Sequence, residues 1–291
     1  MASFIKLDST NLVQNGLNNT VKYDFVGSSA NFKDNDIAIQ SISMYCSDFN
    51  IDSLAFGNTT FKIEVPTPAT TSTISGTLQD GWYSYADINR AIQNALINTG
   101  AYLINGTTNV FFIQIAENST YYACQLDCSP TPTTIGTYTR PATGLYSSGG
   151  SGLPTTSRDL RLIIDNAAFG EVLGFLLGTF PSSSTTTATS MLSNIIPQVH
   201  PTSTYIVHCD LIQNDYVAAG DLLAAFDRGE ASIGQLITYQ PSNYAWVKVH
   251  DGARASITVS IWNQANQPVH FRDISFSIML LIKPRDYVIN K

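Results

Sequence analysis

Apolar and polar residues alternate most cleanly near the C-terminal end of the chain. Over 254–261, Ala255, Ile257, Val259 and Ile261 fall on one face and Arg254, Ser256, Thr258 and Ser260 on the other, the period of a half-buried β-strand. Over 274–282, Ile274, Phe276, Ile278, Leu280 and Ile282 share a face. The opposite face begins polar with Ser275 and Ser277 and ends apolar with Met279 and Leu281. This last strand is therefore expected inside a sheet or under a subunit neighbour. The connection over 262–273 is too long for a two-residue hairpin and suits a crossing from one sheet of a sandwich to the other.

The same alternation marks strands over 21–26, 36–46, 60–65, 160–164, 205–211, 233–239 and 245–249. In the second of these the apolar set changes phase, from Ile37 and Ile39 to Ile42, Met44 and Cys46, which one extra residue near Gln40 and Ser41 would produce. Pro66 and Pro68 end the 60–65 strand, and 67–76 reads as a loop. Residues 110–116 and 121–126 form a hairpin across Glu117-Asn118-Ser119-Thr120.

Two stretches break the β pattern. Ser84-Tyr85-Ala86-Asp87 has the spacing of a capping box, and Ile88, Ala91, Ile92, Ala95 and Leu96 then lie on one stripe at helical spacing. Asn98-Thr99-Gly100 ends this helix. Residues 169–180 carry Phe169, Val172, Leu173, Phe175, Leu176 and Leu177 among three glycines, the pattern of a buried short helix or turn, and 221–226 reads as a helical turn. Ser/Thr/Gly/Pro-rich loops occupy 129–157 and 181–202, and residues 1–20 read as an N-terminal arm with Phe4, Ile5, Leu7, Leu12 and Val13 as its candidate subunit-contact residues. Many short strands, few helices and Gly/Pro/Ser turns predict an all-β sandwich.

Composition sharpens this picture. Only 13% of the 291 residues are charged, against the usual quarter or so, and a neutral polar surface suits packing against copies of the same chain. The net charge of -7 argues against direct binding to nucleic acid. The first residues lack the pattern of a signal peptide, and no apolar run is long enough to span a bilayer, so synthesis in the cytosol or nucleus is expected. Four cysteines are too few for a disulfide framework.

Candidate chemistry is sparse. His208 and Asp210 share one face of a strand, the beginning of a site and no more, while His200, His250 and His270 stand alone. Cys124 and Cys128 lack a second Cys or His pair at zinc-site spacing. No nucleophile-elbow, metalloprotease or phosphate-loop motif occurs. Asn18, Asn58, Asn105 and Asn118 begin Asn-x-Thr triplets that read as incidental. Trp82, Trp246 and Trp262 would bind sugars only if they converged on one exposed face. The expectation is a non-enzyme with no catalytic, metal or cofactor residues.

Four stretches together carry a resemblance. Asp36-Ile-Ala-Ile-Gln-Ser-Ile-Ser-Met-Tyr45, Asp80-Gly-Trp-Tyr-Ser-Tyr-Ala-Asp-Ile-Asn89, residues 110–126 and Phe169-Gly-Glu-Val-Leu-Gly-Phe-Leu-Leu-Gly-Thr-Phe-Pro181 resemble, in that order, the penton (minor capsid) proteins of virophages and Polinton/Maverick-type viruses. The resemblance implies a single jelly roll of two four-stranded antiparallel sheets, spanning 21–291 with loop insertions at 129–157 and 181–202, its first and last strands paired. It further implies a homopentamer at the fivefold vertices of an icosahedral double-stranded DNA virus capsid, surrounded by trimers of a double-jelly-roll major capsid protein. The protein would then be a virion component assembled in the host cytoplasm or viral factory, without cofactor. The alternative is a carbohydrate- or receptor-binding sandwich, lectin-like or part of a spike.

Overall fold

The computed structural model describes residues 3–27, 29–215 and 220–285. The chain forms two compact units, one of residues 1–49 and 202–291 and one of residues 50–201. A complete domain is thus interrupted by an inserted one, in place of a single domain over 21–291 with two loop insertions.

The outer unit holds strands β1 (Ser3–Asp8), β2 (Thr20–Asp24), β3 (Asn35–Tyr45), β4 (Tyr205–Cys209), β5 (Leu222–Phe226), β6 (Leu236–Tyr239), β7 (Ser256–Asn263) and β8 (Phe276–Pro284). One sheet has the order β1-β8-β3-β6, with the short Val247–Lys248 strand also on β3, and the other has the order β5-β4-β7-β2. All pairings are antiparallel, and β1 pairs β8, β2 pairs β7, β3 pairs β6 and β4 pairs β5. First with last, second with second-last, and so on inward is a long hairpin rolled into two sheets: a jelly roll. The insertion enters between β3 and β4, one strand before the turn of that hairpin.

The alternation along each strand explains the core. Leu7, Ile37, Ile42, Ile278 and Leu280 from one sheet cluster with Val21, Tyr205, Val207, Val259 and Ile261 from the other. Each such side chain contributes roughly 1.5–3 kcal/mol on burial. The phase change in β3 is a bulge: Met279 of β8 faces Ser41 and Leu280 faces Ile39, which leaves Gln40 as the extra residue. The 262–273 connection does cross between sheets, from β7 to β8.

The described residues of the expected 1–20 arm, 3–20, belong to the jelly roll. β1 is the edge strand of the first sheet, in register with β8 from Ser3 opposite Ile282 to Asp8 opposite Ser277. Leu7 is fully buried, Ile5 packs against the core, and Leu12 and Val13 are half-buried, with Leu12 bridged to Val21. Phe4 alone of the five is exposed, at 66%. The period-two run Phe4 to Asp8 was too short, amid Asn, Ser and Thr, to stand out as a strand. Residues 222–226 are likewise a strand rather than a helical turn, because pairing to β4 takes up their backbone groups.

The inserted unit has its own core, from Ile51 to Val199. One sheet has the order Gly178–Phe180, Arg161–Ile164, Thr60–Pro66, Thr71–Thr77; another runs Thr189–Leu192, Ala123–Cys128, Ile113–Asn118. Residues 71–77, expected in a loop, extend the first sheet as its edge. Helix α1 (Tyr85–Thr99) begins at the capping box of Ser84 and Asp87, ends at left-handed Gly100, and buries Ile88, Ile92 and Leu96. Helix α2 (Ala167–Leu173) is capped by Asn166 and ends at left-handed Gly174. The long polar loop of 129–157 is tied down by Tyr146, fully buried, whose hydroxyl donates to the Pro66 carbonyl at 3.0 Å. Asp159 holds the following loop by accepting from the Thr185 amide and the Ser184 hydroxyl.

Candidate functional site

His208 does not pair with Asp210. Its Nδ1 lies 2.8 Å from Asp221 Oδ1, and its ring meets the Trp262 ring edge-on at 5.6 Å. Asp210 accepts instead from the Thr258 amide, so its carboxylate fastens the neighbouring strand's backbone. The His208 and Asp221 pair joins β4 to the residue that precedes β5, a structural tie.

The four cysteines are free and buried. Desolvation pushes the thiols of Cys124, Cys128 and Cys209 up to about 12, which opposes both metal ligation and nucleophilic chemistry. Among the described residues no group of three or more His, Cys, Asp or Glu is placed to hold a metal.

The tryptophans are committed separately. Trp82 stacks on His200 in the inserted unit; in the outer unit Trp246 lies under the Lys283 ammonium, and Trp262 packs on His208. Trp246 immediately precedes the 247–248 strand of the β3 sheet while Trp262 lies on β7 of the other sheet, so these two tryptophans are carried by different sheets of that unit. The triplet asparagines Asn18, Asn58 and Asn118 use their side-chain amides internally, on Phe271 O, Asn50 O and Gln125 Oε1.

Two features were not found from sequence. The first is a buried polar cluster in the jelly roll: Asp48 is almost wholly buried, Tyr205 Oη donates to its Oδ1 at 2.9 Å, and Cys46 Sγ lies 3.9 Å from the same oxygen. Burial raises the Asp48 carboxyl above its ordinary range, partly opposed by the Tyr205 hydrogen bond and by Arg228. Asp48 follows the strand alternation of 36–46, and nothing in that pattern separates it from an exposed turn carboxylate.

The second is a groove of about 520 Å³ in the inserted unit, between α1 and the hairpin of 113–128. The helix contributes Asn89, Arg90 and Gln93, the hairpin Gln114, Glu117 and Tyr122, and His200 stands at its margin. Asn89 Oδ1 accepts from the Ile115 amide at 3.0 Å and so fixes helix to strand. The hairpin loop falls at 119–122, two residues later than the sequence suggests, because Asn118 pairs with Ala123. That shift puts Tyr122 at the loop's end in a left-handed conformation (φ 48°), 72% exposed.

The fold is that of an all-β jelly-roll protein with an inserted second unit. A solved structure of the mavirus penton protein is similar to it at a TM-score of 0.45 and 9% sequence identity, over 97% of this chain and 98% of that one. No protein-family model matches the chain, and no curated protein matches it in sequence. Among the described residues no helix is long and apolar enough to cross a membrane.

Proposed function

We infer that this chain is a structural capsid subunit: a penton (minor capsid) protein that forms homopentamers at the fivefold vertices of an icosahedral double-stranded DNA virus particle. The observation that carries the reading is where the four penton-like stretches fall. Residues 36–45 lie in β3 within the jelly roll, 80–89 form the cap and first turn of α1, 110–126 cover most of the hairpin, and 169–181 hold the C-terminal part of α2 and the strand after it. All four are framework elements that contribute buried residues to the cores, as suits a protein that works through its shape. The low charge content and the exposed Phe4 on edge strand β1 fit packing against sister subunits. The neighbours in this reading are trimers of a double-jelly-roll major capsid protein, the location is the virion, and no reaction or cofactor is assigned.

The experiment is light scattering after size exclusion on the purified full chain, with negative-stain images of the same peak, alone and mixed with the major capsid protein. A five-subunit mass with fivefold views, alone or in the mixture, is expected. A stable dimer or trimer, or a monomer that the mixture leaves unchanged, would overturn the reading.

A further inference from the structure

We propose that the groove between α1 and the 113–128 hairpin is a binding site for a neutral oligosaccharide. The volume of about 520 Å³ lies within the range of small-ligand sites, about 300–1,000 Å³. Its lining matches a sugar better than other ligand classes. Gln93, Gln114 and Glu117 make no side-chain hydrogen bond within the described residues, and all three line the groove. Two planar amides and a carboxylate offer paired donors and acceptors to vicinal hydroxyls. Arg90, 4.0 Å from Asp87 at its nearest, adds further donors. Among the lining side chains the Arg90 guanidinium and the Glu117 carboxylate offset each other, Asp87 stands beside Arg90, and His200 adds a titratable ring, so no excess of positive charge favours a phosphate or an acidic chain over a neutral ligand.

Tyr122 supplies the stacking face. Its ring is 72% exposed beside the groove, where an aromatic face can cover the C–H face of a pyranose. A left-handed backbone is costly for a bulky residue, and glycine or asparagine would close this loop without strain. A strained, exposed aromatic on the rim of a groove of mixed polar and apolar lining is the geometry of a ligand contact. The groove floor is rigid, because the Asn89 bond to Ile115 and the buried stripe of α1 hold its two walls together.

The test uses the purified full chain on an array of immobilised neutral, sialylated and sulfated oligosaccharides, with calorimetric titration of any soluble glycan that scores. Binding to neutral glycans is expected, weakened at least tenfold by Tyr122→Ala and by Gln114→Ala. Both side chains are exposed, and an unchanged melting temperature verifies that the variants fold. Absence of binding across the array, binding confined to the acidic glycans, or affinity unchanged in both variants would each overturn the proposal. The outcome is independent of oligomeric mass, so it can fail while the capsid reading stands.

Discussion

Tyr205, on β4, donates its hydroxyl to Asp48 Oδ1 at 2.9 Å across the interior of the jelly roll. Both residues are almost fully buried. Asp48 lies just past the end of β3 and Tyr205 begins β4, so this bond closes the place where the chain leaves the outer unit and returns to it. A buried donor and acceptor that satisfy each other contribute modestly, but either one left alone costs about 1–3 kcal/mol. Tyr205→Phe, which removes only the donor, is expected to lower unfolding free energy by that amount in a denaturant titration. A loss below about 0.5 kcal/mol would mean that another donor replaces the hydroxyl.

The raised pKa of Asp48 gives stability a pH dependence. Its folded value lies above the ordinary 3.8, chiefly through desolvation, so between the unfolded and folded values the native state binds more protons. This residue's contribution is therefore best below the unfolded pKa and declines as pH rises through the folded one. Asp48→Asn keeps the acceptor for Tyr205 and cannot ionise. The variant is expected to gain stability relative to the wild type as pH rises from 4 to 7. Denaturation midpoints measured over that range decide the matter, and a difference that shrinks with pH reverses the assignment.

β1 as part of the sheet predicts an outcome that an arm would not. Leu7→Ala leaves a cavity in the sandwich and is expected to cost about 2–5 kcal/mol. Phe4→Ala on the exposed side should stay within about 0.5 kcal/mol while reducing subunit association. Equilibrium unfolding reports the first and light scattering the second. A neutral Leu7→Ala would return residues 1–20 to the status of a detachable arm.

Much of the framework was legible because local patterns settle it. Alternation located β3, β7 and β8; the slip of phase from Ile39 to Ile42 revealed the Gln40 bulge; Ser84 and Asp87 marked the start of α1. What stayed hidden depends on contacts distant in sequence. β1 is a strand because β8, some 270 residues later, offers it an edge. The inserted unit escaped notice because its strands share the period and turn chemistry of the jelly roll, so no change of composition marks 49–50 or 201–202. The groove joins α1 to Tyr122, which depends on a two-residue shift of hairpin register. His208 invited pairing with Asp210 by proximity in sequence, yet the β4 and β5 ladder brings Asp221 to it instead.

The loop of 129–157 is fastened to the end of α1 by backbone contact. Leu145 and Tyr146 donate their amides to Thr99 O and Gly100 O at 2.8 and 2.9 Å. Gly100 has φ of 65°, and a Cβ there would sit 2.2 Å from the Thr143 carbonyl oxygen. Gly100→Ala therefore meets backbone strain and overlap together and is expected to cost at least about 2 kcal/mol. Thermal unfolding followed by circular dichroism measures it. A variant as stable as the wild type would show that this loop can move aside, and that Tyr146 rather than the Gly100 contact holds it.

The N-terminus of α1 offers a local test with two readouts. Ser84 Oγ accepts from the Asp87 amide at 3.2 Å, and Asp87 Oδ2 accepts from the Ser84 amide at 3.1 Å and from its hydroxyl at 2.6 Å. The Ser84 hydroxyl, first among the causes, holds the Asp87 carboxyl below its ordinary value. Ser84→Ala removes both hydroxyl contacts and is expected to cost about 1 kcal/mol. In the wild type this contribution is present above the unfolded pKa of Asp87 and lost as pH falls through the lowered folded value. The deficit of the variant should therefore narrow in acid, and the Asp87 carboxyl should titrate higher when followed by carbon-detected NMR. A deficit that is constant with pH, with an unmoved Asp87 titration, would place the cost in lost packing of the first turn instead of in the reciprocal cap.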